Sequence, residues 1–333
     1  MSAGAVAFCA TGRTGLGHLR RLANVATELA RLAPGLPLAL LANAPPDGLE
    51  PAARALLPWT PCAGRDALAA TLADAGPRVV VVDTAVVPGL AALPAPLVLV
   101  LRECPDAAVG RFALDGGRPW DRVVVPNPAA HWLPPAGTPS ARRLDAVGWI
   151  YRHRSAARPA TPRPRLLVAS GGGGNPDTAA AFRDRVAVLV AGVRQRLGAE
   201  VEVVQALGPR APASSRLPDV DAAIQPGPDL DTLFAHADAV VSTAGYNSVL
   251  ELACTDTPTV LVSIHRRHDD QSARARLWGP RLGRCLDGDD ADGVTHWLAT
   301  TLAARARRPR FELGPSGATR AAEIIAEVAG AGG

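Results

Sequence analysis

The chain has 333 residues and not one lysine; all 35 of its basic side chains are arginine. A Walker-type phosphate loop, which ends in Lys-Ser or Lys-Thr, is therefore excluded. Arginine used throughout, beside abundant Ala, Gly and Pro, reads as coding bias. No basic block carries interleaved aromatics, so no nucleic-acid partner is expected. Aromatics are only 4%, which leaves Val, Leu and Ala to fill the core. The five cysteines (Cys9, Cys62, Cys104, Cys254, Cys285) are odd in number and form no CxxC pair. That argues against a disulfide framework and for reduced thiols in the cytoplasm. Long apolar runs are missing too. The first, Ala5–Ala10, is far too short to span a bilayer and follows no charged segment, so a soluble protein without integral membrane contact is expected.

The length suits two domains of about 150 residues each. Ala5–Ala10 reads as a buried strand, Thr11–Gly17 as a glycine-rich turn, and His18 to Leu32 as a helix with Leu19, Leu22, Val25, Ala26 and Leu29 on one face. Further apolar runs at Leu38–Leu41, Val79–Val82, Leu97–Leu101 and Val123–Val125 lack polar alternation and are separated by helices or loops. Such runs predict an α/β fold with a parallel sheet covered on both faces.

Tyr151–Arg165 is rich in Pro and Arg, has little to bury, and reads as a linker. A second strand, glycine loop and helix follow at Leu166–Ala169, Ser170–Asn175 and Asp177–Leu197. More strands are expected at Val201–Gln205, Ala239–Ser242 and Thr259–Ser263, and a last helix from Gly317 to Val328. The expected organisation is one Rossmann-like domain over 1–150, a linker over 151–165, a second over 166–315, and a terminal helical segment over 316–333 that packs back on the first domain.

Several constellations carry chemistry. Thr11–His18 places glycines between a strand and a helix, where backbone amides can approach an anion, but the order G-R-T-G-L-G-H misses the dinucleotide fingerprint. Its histidine, His18, opens the helix. A helix start disfavours added positive charge, which suits a neutral general base; the bland reading is a turn cap. Four consecutive glycines, Gly171–Gly174, follow Ser170 and are costly unless amides must meet a ligand. Ser242-Thr243-Ala244-Gly245-Tyr246-Asn247 stands at a strand end and opens a helix that carries Glu251. The start of that helix suits phosphate oxygens, and Glu251 suits a ribose diol, against a plain solvated charge. His265–Gln271, HRRHDDQ, can read sugar hydroxyls through Asp269 and Gln271; its two histidines lack an assured third ligand, so no metal is expected. In the first half Asp83, Glu103 and Asp106 follow strand ends, where carboxylates face the ligand crevice of an open sheet; each serves as a candidate acceptor contact or second base, or is an ordinary loop residue. Asp287–Asp292 lacks the alternating ligands and closing Glu of a calcium loop and reads as a helix-capping turn.

Together GLGHLRR (Gly15–Arg21), GGGGN (Gly171–Asn175), STAGYNSVLELACTDTPTVLV (Ser242–Val262) and HDDQ (His268–Gln271) resemble the GT-B glycosyltransferases. They look most like the bacterial group that includes the peptidoglycan N-acetylglucosaminyltransferase and its uncharacterised predicted-glycosyltransferase branch. The resemblance implies two Rossmann-like domains whose parallel sheets face across a cleft. It implies His18 as base at an acceptor hydroxyl, with Asp83 as the other catalytic candidate. Donor contacts are expected at Gly15, Gly17, Ser170, Gly171, Gly172, Gly173, Ser242, Thr243, Gly245, Asn247, Glu251, Asp269 and Gln271, and acceptor contacts at Arg13, Glu103 and Asp106. The implied activity is inverting, metal-independent transfer of a sugar from a UDP- or dTDP-sugar to a hydroxyl of a small molecule or secondary metabolite. The nucleotide-diphosphate sugar is a co-substrate, and no cofactor is implied. Up to Ile150 the chain has 13 Arg against 11 acidic residues, too balanced to point to an anionic membrane. The alternative is a nucleotide-sugar hydrolase of the same fold, similar to the UDP-diacetamido-sugar hydrolase of pseudaminic-acid synthesis, with water in place of the acceptor.

Overall fold

A computed structural model describes residues 4–12, 16–154, 157–171, 176–265, 269–286 and 290–330. The chain divides into two units, Met1–Arg152 with Gly314–Gly333, and His153–Leu313. Tyr151 and Arg152 thus belong to the first unit, and Arg165 already opens a strand of the second.

The first unit holds strands β1 (Val6–Ala10), β2 (Leu38–Ala42), β3 (Trp59–Pro61), β4 (Val79–Asp83), β5 (Leu97–Val100), β6 (Arg122–Val125) and β7 (Leu144–Ala146). They form one parallel sheet in the order β3-β2-β1-β4-β5-β6-β7. Its helices are α1 (Gly17–Leu32), α2 (Pro51–Leu56), α3 (Arg65–Ala75) and α4 (Asp106–Val109). Successive side chains of a strand face opposite sides, so an all-apolar strand feeds two cores. Val79 and Val81 join Val6 and Phe8 against α1, while Val80 and Val82 join Ala7 and Cys9 against Leu68 and Leu72 of α3.

The second unit repeats the plan with β8 (Arg165–Ala169), β9 (Glu202–Ala206), β10 (Ala222–Ile224), β11 (Ala239–Thr243), β12 (Thr259–Val262) and β13 (Gly283–Cys285). The parallel order is β10-β9-β8-β11-β12-β13. Its helices are α5 (Pro176–Leu197), α6 (Leu230–His236), α7 (Tyr246–Ala253), α8 (Gln271–Leu282) and α9 (Ala291–Ala303). One face packs Leu166, Val168, Val241 and Val260 on Phe182, Val186 and Leu189 of α5 and Leu298 of α9. Asp290 accepts from the Gly293 amide at 2.7 Å and so caps α9; Asp287 and Asp289 lie outside the described residues.

The last helix, α10 (Ala318–Val328), is part of the first unit, with Ala321, Ala322, Ile324 and Ile325 in the core that holds α1. Gly317 makes that approach sterically feasible. A Cβ there would stand 2.4 Å from the Val147 carbonyl oxygen, and the Gly317 amide donates to Trp149 O at 2.8 Å. Among the described residues no helix is long and apolar enough to cross a membrane.

Every interior strand lies within one residue of its expected span. The four strands without an expectation, β3, β7, β10 and β13, are the four sheet edges and have three residues each.

Candidate functional site

In the first sheet the chain order reverses between β1 and β4, the place where open α/β sheets take ligands beyond their strand C-termini. His18 stands in the first turn of α1, after β1, and Asp83 ends β4. The His18 ring Nδ1 lies 2.8 Å from Asp83 Oδ1. A carboxylate only accepts, so Nδ1 carries the proton and the neutral ring keeps its lone pair on Nε2. Arg21, three residues along the same helix face, donates from Nε to Asp83 Oδ2 at 2.7 Å and from Nη2 to Oδ1 at 2.5 Å.

Exposure separates the roles. The side chains of Arg21 and Asp83 are 1% and 0% exposed, that of His18 26%. Burial would push the Asp83 carboxyl up, but the Arg21 guanidinium and then the His18 ring outweigh it and hold it at about 2. Asp83 is therefore a buried acceptor, charged at neutral pH, that orients His18. The expectation of Asp83 as a second base fails, because both its oxygens are engaged and neither reaches solvent.

The strand end beyond Asp83 is held under strain. Thr84 has φ 39°, a left-handed conformation that costs a β-branched residue about 1–3 kcal/mol. It is pinned by its amide and hydroxyl, which donate to Val100 O at 2.8 and 3.0 Å, and by the Arg102 amide, which donates to its Oγ1 at 3.3 Å. Glu103, on the loop after β5, accepts from Asn127 Nδ2 at 3.0 Å and so shares this sheet edge. Asp106 begins the short α4 and is exposed. Arg13 and Gly15 lie outside the described residues; Gly17 opens α1.

In the second sheet β8 and β11 form the corresponding reversal. Gly171 follows β8 with φ +74°, and a Cβ there would meet Thr243 Oγ1 at 3.4 Å, so the loop after β8 lies against the end of β11. The Ser170 hydroxyl is buried at this junction without a hydrogen-bond partner among the described residues. Gly172 and Gly173, like Gly174 and Asn175, lie outside the described residues. Thr243 ends β11, Gly245 precedes α7 in extended conformation, and Asn247 lies in its first turn. The helix start brings partial positive charge to this point. Glu251 is half-buried, about 9 Å further along the helix at 1.5 Å per residue.

Two of the expected donor contacts have structural work instead. Ser242 is fully buried, and its hydroxyl donates to Thr243 O at 3.2 Å. Gln271 is 2% exposed; its Oε1 accepts from the Ile264 amide at 3.2 Å, and its Nε2 donates to Asp269 Oδ2 at 3.1 Å. Asp269 in turn accepts at Oδ1 from Arg274 Nη1 and Nη2, at 3.1 and 3.0 Å. Arg274, buried on α8, also donates to Ala244 O at 2.7 Å and so ties the loop after β12 to the start of α7. Asp269 thus stands beside the β11 loop, held by Gln271 and Arg274. His268 lies outside the described residues, and His265 is exposed. Among the described residues no three His, Cys, Asp or Glu side chains gather as a metal site.

No family model and no curated protein matches the chain. Solved structures do. The spinosyn rhamnosyltransferase SpnG, complexed with thymidine diphosphate, is 18% identical with a TM-score of 0.58 over 98% of this chain and 96% of its own. The calicheamicin glycosyltransferase CalG4 is 17% identical with a TM-score of 0.54 over 100% and 96%. The glycosyltransferase SnogD from Streptomyces nogalater is 17% identical with a TM-score of 0.57 over 98% and 100%. The chain has the GT-B fold. Within this GT-B chain two positioning residues escaped the sequence reading, Arg21 and Arg274. For Arg21 the signal was its i,i+3 spacing from His18 in the Gly-His-x-x-Arg segment. For Arg274 the sequence shows Asp269 five residues upstream, but not the Ala244 carbonyl 30 residues away.

Proposed function

We propose that the protein is an inverting, metal-independent glycosyltransferase that moves a sugar from a dTDP- or UDP-sugar to a hydroxyl of a small secondary metabolite. The observation that carries this reading is the His18–Asp83–Arg21 arrangement, a partly exposed base held by a buried carboxylate at a sheet switch point. His18 Nε2 takes the acceptor proton as the acceptor oxygen bonds to the anomeric carbon and the bond from that carbon to the diphosphate breaks. Asp83 stabilises the imidazolium that forms. The amides at Gly171 and around Gly245, with the start of α7, take up charge on the departing diphosphate, and Glu251 holds the ribose.

The structural neighbours support the substrate class. One was solved with thymidine diphosphate, and the same rhamnosyltransferase was solved with the spinosyn aglycone. The short motifs resemble the peptidoglycan N-acetylglucosaminyltransferase group, but the charge balance of the first half favours a small acceptor over a lipid-linked one. The test is nucleotide-sugar turnover with and without a panel of hydroxylated natural products. Acceptor-dependent glycoside with inverted anomeric configuration, insensitive to chelator, is expected. Rapid stoichiometric free sugar without acceptor would assign the hydrolase instead. His18→Ala should keep nucleotide binding and lose most turnover; unchanged turnover would remove His18 from the mechanism.

A further inference from the structure

The second unit carries a cationic cavity of about 360 Å³ that the proposed reaction does not use. His153, Arg158, Cys254, Asp256, Arg307 and Arg310 line it. Asp256 and Thr257 precede β12, and Ala237 and Asp238 precede β11, so the cavity lies at the N-terminal edge of the sheet. Gly171 and Thr243 lie at the C-terminal edge, roughly 15 Å away along the five residues of β11.

The lining sets three arginines against one carboxylate. Arg158 is committed to the fully buried Asp238. Arg307 donates from Nη1 to Ala237 O at 3.0 Å and Thr257 Oγ1 at 3.3 Å, and reaches Asp256 only at 3.5 Å. Its Nη2 is buried and has no hydrogen-bond partner among the described residues. A buried guanidinium N–H without an acceptor is costly, and it leaves the charge of Arg307 only partly compensated at this edge. Arg310 is exposed, and among the described residues it forms no ion pair. The positive field is felt by His153, pushed below its ordinary value by burial and then by Arg310.

We propose that this cavity binds a phosphate dianion, with room for the organic remainder of a small phosphate monoester. The phosphate would give Arg310 its counter-ion and would balance the uncompensated charge of Arg307 behind it. A guanidinium fork matches phosphate oxygens. The volume exceeds that of a bare phosphate and lies within the range of small-molecule sites.

The test is calorimetric titration of the full chain with inorganic phosphate and with glycerol 3-phosphate. Both are expected to bind. Tighter binding of the ester assigns the site to phosphate monoesters, and equal binding assigns it to the free ion. Arg310→Ala should weaken both by roughly tenfold or more, and Arg307→Met, if folded, likewise. Arg54→Ala removes the same charge from the exposed face of α2 in the first unit and should change binding by less than about twofold. Gly171→Ala, in the glycine loop, should also leave it unchanged. The proposal is overturned if the wild type binds neither probe, if Arg310→Ala binds as wild type, if Arg54→Ala loses as much, or if Gly171→Ala abolishes binding.

Discussion

Replacing Asp83 with Asn changes almost nothing in size, yet it removes the charge around which the first sheet's cluster is built. Asp83 Oδ1 accepts from His18 Nδ1 and Arg21 Nη2, and Oδ2 accepts from Arg21 Nε. Arg21 has only donors. Either orientation of an amide sets its NH2 against one Arg21 N–H, and one orientation also forces the His18 proton onto Nε2, where it blocks the base. In both, the imidazolium formed on proton transfer faces Arg21 without a counter-charge. A unit charge about 4 Å from the ring is worth roughly 4 kcal/mol at an effective dielectric constant near 20. That corresponds to about a thousandfold in kcat. The assay is steady-state nucleotide-sugar turnover on protein checked for folding by circular dichroism, with nucleotide affinity measured separately. The expected pattern is a fall in kcat with nucleotide affinity unchanged. In a His18→Ala background the second substitution should cost only about threefold more or less, since the two side chains act as one unit. The reasoning is refuted if Asp83→Asn keeps kcat within tenfold of wild type, or if its cost is undiminished when His18 is already gone.

Arg21→Met leaves the Asp83 carboxylate buried with only His18 beside it, and should cost roughly 3–5 kcal/mol in urea unfolding at pH 7. A carboxyl held at about 2 against its ordinary 3.8 contributes stability above about pH 4 that is lost as pH falls to about 2, on the order of 2–3 kcal/mol. Without Arg21, burial raises that carboxyl, so the gap between variant and wild type should narrow as pH falls from 7 toward 4; a gap independent of pH would refute the assignment. Gly171→Ala places a Cβ at φ +74° and 3.4 Å from Thr243 Oγ1, so it should destabilise by about 1 kcal/mol and weaken thymidine diphosphate binding measured by thermal shift.

By itself the sequence determined the architecture. Apolar runs such as Val79–Val82 and Leu97–Val100 can only be strands buried on both faces, because such a run has no polar side to give to water. The same patterning gave no sign of β3, β7, β10 and β13, whose segments Trp-Thr-Pro, Leu-Asp-Ala, Ala-Ala-Ile and Gly-Arg-Cys are strands only because a neighbour offers them hydrogen bonds. The candidate site divides likewise. Position after a strand marked His18, Asp83, Thr243 and Glu251, since strand ends and helix starts are local features. That Asp83 orients rather than abstracts, and that Gln271 and Ser242 serve the loops, depends on burial and on partners such as Arg21, 62 residues away, and Arg274, 30 residues from Ala244. Periodicity in one segment cannot encode which side chain from another will fill the space beside it; only the closed sheet, with β4 laid against β1, makes that choice.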